Sequence, residues 1–218
     1  LPLTADADTG YGNAMSVFFT VRGFEDAGLS GVMIEDQVWP KRCGHMAGKA
    51  VIPAEEMVQK VKAATDARRD SDFIIRARTD AAAPLGVQAA IDRLCAYAEA
   101  GADVLFADAL LSAEDIELVA KSTPKPLLVN MGLGIRARPT TPLIHPKKLQ
   151  QMGVAAVSYP RMLTTAALRG MMNAVDAFKD MLDGDQEVDR SDLQVSFDEL
   201  NELMGMEALD VMESRYTV

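Results

Sequence analysis

Only two cysteines, two histidines and one tryptophan occur in the 218 residues, aromatics make up 6%, and 22 Lys and Arg face 32 Asp and Glu. Each shortage excludes something. Two cysteines in unlike surroundings, Cys43 among cations and Cys95 on a helical stretch, do not make a disulfide framework. Cys43 and His45 stand two apart with no second pair at zinc-site spacing, which sets zinc aside. A formal charge of −10 argues against nucleic-acid backbones and anionic membranes as partners. No apolar run reaches membrane-spanning length, and the opening residues lack a charged-then-apolar signal pattern. A soluble cytoplasmic protein is the expectation. At 49% hydrophobic, the chain has enough apolar residues for one full core.

What is present is a rhythm. "EDAGLSGVMIED", "AEAGADVLFADA" and "QQMGVAAVSYP" each read as a helix end, a glycine and a short β-rich run. Gly28, Gly101 and Gly153 fit left-handed helix caps. The runs end at the equivalent positions Glu35, Asp108 and Pro160. Adding "LPLTADAD", "DFIIRARTD" and "KPLLVN" predicts six strands alternating with helices, apolar at nearly every position as in a parallel sheet covered on both faces. Polar residues fall at five or six successive strand ends, among them Asp36 and Asp80. That spread favours a (β/α)8 TIM barrel over an open doubly wound sheet, whose site gathers at one switch point. A closed barrel typically has eight strands and about 250 residues, so two βα units ahead of Leu1 are expected to lie outside this chain. The barrel is assigned to 1–182, strands three to eight. Residues 183–218 read as a charged connector and a C-terminal helical extension, opened by a capping box at Ser196 and Glu199.

Two features carry chemistry. In "PKRCGHMAGK", Lys41, Arg42 and His45 flank Cys43, a setting that stabilises a thiolate rather than a core thiol. In "DADTGYG", Asp6 and Asp8 are two apart and so share one side of a strand. With Glu35 from the next strand they suit Mg²⁺, which takes a few carboxylates, waters and substrate oxygens. The ordinary alternative is that the aspartates cap the following helix.

These motifs carry a resemblance. "KRCGHM" matches the K-[KR]-C-G-H-[LMQR] signature of the isocitrate lyase family. "DADTGYG", "IEDQ", "PKRCGHMAGK" and "ARTDA" follow in the order seen in the isocitrate lyase/phosphoenolpyruvate mutase superfamily, nearest its short 2-methylisocitrate lyase-like members. The resemblance implies a Mg²⁺-dependent (Mn²⁺ as substitute) carbon–carbon lyase acting on a small 2-hydroxy or 2-oxo carboxylic acid. It also implies a homotetramer that swaps a helix between subunits. Asp6, Asp8 and Glu35 resemble the metal ligands. Cys43 resembles the general acid, with Lys41, Arg42, Gly44 and His45 on its gating loop. Arg78 resembles the clamp on a substrate carboxylate, and Asn130, Asp108, Gly44 and Pro160 complete the substrate-binding set.

Two departures bear on substrate. Asp108 stands where methylisocitrate lyases carry glutamate, and "NMGLGIRARPTTP" places Arg136 and Arg138 where they carry an acid. An oxaloacetate hydrolase or decarboxylase on the same scaffold is therefore the first alternative, and a non-catalytic binding protein the second. Cys95 reads as packing, His145 as a helix cap, the 13 methionines as filler, and Trp39 as either a loop contact or an exposed side chain.

Overall fold

The computed structural model of the protein describes residues 1–42, 48–133, 141–185, 187 and 189–216. The apolar runs become six strands: β1 Thr4–Asp6, β2 Gly31–Glu35, β3 Ile74–Thr79, β4 Val104–Ala107, β5 Leu127–Asn130 and β6 Ala156–Ser158. Helices α1 Ala14–Asp26, α2 Ala54–Ala67, α3 Ala82–Leu85, α4 Val87–Glu99, α5 Ala113–Ser122 and α6 Pro146–Gln151 connect them. After β6 come α7 Met162–Asp183, α8 Phe197–Met204 and α9 Met206–Glu213. Among the described residues no helix is long and apolar enough to cross a membrane.

Every strand pair is parallel, and the order in the sheet is β1-β2-β3-β4-β5-β6. Each crossover therefore steps one place in the same direction. A doubly wound sheet has to reverse at a switch point; this sheet does not, and its strands form a curled parallel half-barrel of TIM type. Ile34, Ile75, Leu105 and Leu127 from the strands share one core with Val17 and Val21 of α1, Met57 and Val61 of α2, and Leu94 of α4. Local signals set the helix starts: the Asn13 side chain accepts from the N–H groups of Met15 and Ser16, and the Ser112 side chain from that of Asp115. Gly28, Gly101 and Gly153 take φ of +83°, +109° and +96°, the left-handed caps expected of them.

The chain forms two compact units, 1–160 and 161–218. In the second, Ser196 and Glu199 make the expected capping box. The following segment is not one helix, however. Gly205 turns left-handed at φ +70° and divides it into α8 and α9. His145 caps α6 by accepting from the Lys147 N–H, and Cys95 packs against the core with its thiol 3.5 Å from the Ser122 carbonyl oxygen.

One glycine is required by closeness rather than by φ. A Cβ on Gly31, at the start of β2, would lie 2.6 Å from the Ile74 carbonyl oxygen and 2.8 Å from the Ile74 Cβ. Gly31→Ala is expected to destabilise the fold by about 1–3 kcal/mol. Gly23→Ala, inside α1 with nothing within 4 Å of the new methyl group, should instead stabilise it by about 0.5–1 kcal/mol. Urea denaturation of both variants measures the pair; a Gly31 variant as stable as the parent would mean β2 and β3 are not held this closely.

Candidate functional site

The C-terminal ends of the strands bring the charged residues together. The turn after β1 folds back so that the Asp8 N–H donates to the Asp6 carboxylate at 2.9 Å, with Asp8 at φ +52°. Asp8 lies past the strand, so this turn, not strand alternation, is what pairs the two aspartates. Glu35 ends β2 fully buried. The three carboxylates surround one cation, the ammonium of Lys41. Its Nζ contacts Asp8 directly, and lies 3.5 Å from Glu35 Oε2 and 3.9 Å from Asp6 Oδ2.

Next to this cluster lies a second. Arg78, near the end of β3, donates from Nε to Asp80 at 2.8 Å and from Nη2 to Asp80 at 3.1 Å and Asp108 at 3.0 Å. Its guanidinium lies over the Phe106 ring, 5.1 Å from the centroid. Nη1 takes no part in these bonds. The buried Lys49 ammonium reaches Asp80 at 2.7 Å and Asp108 at 3.8 Å. Asn130 Nδ2 lies 3.5 Å from Asp108, while Asn130 Oδ1 accepts from the Ser158 hydroxyl. Beneath both clusters, the buried Asp36 carboxylate accepts from Tyr97 Oη at 2.7 Å, Thr79 Oγ1 at 2.7 Å, Arg93 Nη1 at 3.0 Å and the Asp80 N–H at 2.9 Å.

The segment bearing the thiol signature is anchored at both ends. A bridge between Gln37 and Val51 closes its base, with the Val38 N–H donating to Ala50 O at 2.9 Å and the Ile52 N–H to Asp36 O at 2.9 Å. Gln37 Nε2 donates to Glu35 Oε1 and to the Arg42 carbonyl, both at 3.0 Å, and Gln37 Oε1 accepts from the Arg42 N–H at 3.0 Å. Lys41 and Lys49 thus plant the two ends of the segment on different carboxylate clusters. A cavity of about 460 Å³ opens beside Gln37, lined by Thr9, Tyr11, Trp39, Ile52 and Lys60.

The structure therefore gathers Asp6, Asp8, Glu35, Lys41, Arg78, Asp108 and Asn130 at one end of the sheet. Pro160 follows just past β6. Cys43, Gly44 and His45 lie outside the described residues, as do Arg136 and Arg138. Sequence reasoning gave no role to Lys49, Gln37, Tyr97 or Arg93, and noted Asp36 and Asp80 only as strand-end residues. Spacing held one usable signal: Asp80 lies two residues after Arg78, close enough to form an ion pair with it.

Charge perturbation follows from the burial. Burial pushes the Glu35 carboxyl up from 4.5 to about 7, with Arg78 and Lys41 pulling against it and Asp80 and Asp6 adding to it. Burial alone would raise Asp80, but its hydrogen bond to Arg78 and the charges of Arg78 and Lys49 hold it below the ordinary range. Lys41 is raised: burial would lower it, and Asp8, Glu35 and Asp6 outweigh that.

Could these residues hold a cation? Among the described residues no three His, Cys, Asp or Glu side chains close on a point as a direct metal site would. The donors nonetheless suit a hard cation. Asp6, Asp8 and Glu35 already converge on a positive charge. Across both clusters, six carboxylates (Asp6, Asp8, Glu35, Asp36, Asp80, Asp108) face the four cations Lys41, Lys49, Arg78 and Arg93. Mg²⁺ commonly bridges such wider sets through water.

The family model described as phosphoenolpyruvate phosphomutase matches residues 1–179. A 2,3-dimethylmalate lyase of Eubacterium barkeri is 40% identical over 216 residues, covering 99% of this chain and 72% of that protein. The chain spans 66% and 63% of two other curated relatives. A solved oxaloacetate acetylhydrolase, in complex with 3,3-difluorooxalacetate, aligns with a TM-score of 0.84 at 30% identity, covering 100% of this chain and 71% of that one. A phosphonopyruvate hydrolase complexed with oxalate and Mg²⁺ aligns at 0.75 and 34% identity, covering 99% and 73%.

Glu35 makes the site pH-sensitive in a defined direction. Its folded carboxyl titrates near 7 against an ordinary 4.5, so the folded state binds the proton more tightly than the unfolded chain. That contribution to stability is full below pH about 4.5 and lost as pH rises through about 7. Without divalent cations, Glu35→Gln should lose less stability than the parent between those limits, by on the order of 3 kcal/mol. Urea denaturation in a chelator at several pH values tests this; parallel pH profiles would refute it.

Proposed function

The chain belongs to the phosphoenolpyruvate phosphomutase family, within the isocitrate lyase/PEP mutase superfamily of enzymes, and from that premise we propose that it is a Mg²⁺-dependent carbon–carbon lyase. The substrate is a 2-hydroxy di- or tricarboxylic acid of the 2,3-dimethylmalate or 2-methylisocitrate kind, cleaved to pyruvate or glyoxylate plus a second carboxylate. The observation that carries this reading is the pairing of two features at adjacent strand ends. One is the convergence of Asp6, Asp8 and Glu35 on a single positive charge; the other is Arg78, whose Nη1 stands outside its bonds to Asp80 and Asp108. The likeness to 2,3-dimethylmalate lyase and to a hydrolase holding oxalate and Mg²⁺ supports it.

In this reading Asp6, Asp8 and Glu35 would hold the cation, which would supply positive charge for the oxygens of the substrate. Arg78 binds a substrate carboxylate through Nη1, held in orientation by Asp80 and Asp108. A general base takes the substrate hydroxyl proton, and that carbon becomes a carbonyl as the adjacent carbon–carbon bond breaks. The departing fragment takes the bonding pair as an aci-carboxylate, and the Cys43 thiol protonates it. Lys41, Arg42, Gly44 and His45 surround that thiol in sequence, and Asn130 and Pro160 complete the substrate-facing set. The half-barrel is read as part of a closed eight-stranded barrel, assembled as a cytoplasmic homotetramer with helix exchange.

Hydrolysis of oxaloacetate is the second reading, favoured by the likeness to oxaloacetate acetylhydrolase. A panel of 2,3-dimethylmalate, 2-methylisocitrate and oxaloacetate with Mg²⁺, read by release of pyruvate, carboxylates or oxalate, separates the two. Cys43→Ser should lower kcat on the preferred lyase substrate by at least about 10²-fold with KM within a few-fold. Unchanged turnover in that variant would remove the thiol from the mechanism.

A further inference from the structure

The Lys41 ammonium stands where the proposed cation would stand. It has Asp8 in direct contact, Glu35 Oε2 at 3.5 Å and Asp6 Oδ2 at 3.9 Å, with the Glu35 side chain fully buried and that of Lys41 three-quarters buried. The Glu35 and Asp6 separations are those of an ammonium from carboxylates, far longer than the roughly 2.0–2.1 Å of a Mg²⁺–oxygen bond. The spread of the three side chains, too wide for direct ligation, fits the ion that sits among them. An ammonium and a divalent cation cannot share that space, because both position and charge conflict. Lys41 is also not free to move alone. The Arg42 backbone is clasped on both its N–H and its carbonyl by the Gln37 amide, which in turn donates to Glu35.

We propose, resting on the metal reading above, that Lys41 is a built-in counter-cation that competes with the divalent ion. Its ammonium neutralises Asp6, Asp8 and Glu35 in the ion-free protein. Entry of the ion expels it, and the expulsion pulls the adjoining Arg42 backbone from the Gln37 clasp, so that occupancy of the cluster is transmitted to the base of the thiol-bearing segment. The competitor supplies the positive charge that Asp6 and Asp8 otherwise lack beside the buried Glu35, whose second ion pair is with Arg78 at 3.4 Å.

The chain carries its own reporter, since Trp39 is its single tryptophan, is exposed, and lies two residues before Lys41. The experiment is calorimetric titration of the full chain with MgCl₂, without substrate, at pH about 8, alongside tryptophan emission. Removing the competing charge with Lys41→Met should tighten Mg²⁺ binding at least about tenfold, a difference of about 1.4 kcal/mol, and Lys41→Ala should do the same without the methionine side chain. Lys41→Arg, which keeps the charge, should stay within about threefold of the parent. Mg²⁺ should shift Trp39 emission in the parent and not in Lys41→Met. Binding of Mg²⁺ with equal or lower affinity in both neutral variants, or an emission shift that persists in them, overturns the competition. Absence of binding by Mg²⁺ and Mn²⁺ in the parent and every variant overturns the metal reading itself, and the inference with it.

Discussion

The buried carboxylate of Asp36 is the constraint on which the rest of the site depends. It receives four hydrogen bonds, from Tyr97 on α4, Arg93 on α4, Thr79 at the end of β3 and the backbone of Asp80. A fully buried anion is tolerated only when paired and hydrogen-bonded, and removal of one partner from such a group typically costs about 3–5 kcal/mol. Satisfying Asp36 therefore fixes the ends of β2 and β3 and the orientation of α4 in one arrangement. The Asp80 backbone is one of the four donors, so the Asp80 side chain has little freedom. Its two oxygens then set Arg78 and Lys49. Order passes from a buried charge to a backbone amide, and from there to the guanidinium proposed to meet the substrate.

Charge alternation explains how so many acids coexist at one end of a sheet. Asp8, Asp80 and Asp108 each have a close cation, and Asp36 has four donors. Glu35 has both ion pairs of its neighbourhood at 3.4–3.5 Å, to Arg78 and Lys41, while burial strips it of water and Asp80 and Asp6 oppose its charge. The group is left poised near neutrality, as buried carboxylates among like charges often are at functional sites. The strands beneath allow this because their parallel order points every C-terminal end the same way.

Much of this was legible in the chain itself. The six strands, the glycine caps after α1, α4 and α6, and the choice of a barrel-type sheet all follow from local signals. An apolar run bounded by a left-handed glycine needs no distant partner to be recognised. The strand-end positions of Asp6, Glu35, Arg78, Asp108 and Asn130 were likewise readable, because strand length and turn chemistry place them. The break at Gly205 was not anticipated, since the apolar stripe runs on across it and only the local backbone geometry interrupts the helix.

Lys49, Gln37, Arg93 and Tyr97 belong to a different kind of information. Tyr97 is 61 residues from Asp36, and Lys49 is 31 from Asp80. No spacing rule links residues so far apart, and each taken alone reads as an ordinary helix or loop side chain. The sequence by itself determined which residues would stand at the strand ends, through hydrophobic periodicity and capping, which act over a few residues. Only the tertiary structure decided which charges would neutralise which, because that choice follows from the burial each carboxylate meets and the donors that other strands and helices bring within reach.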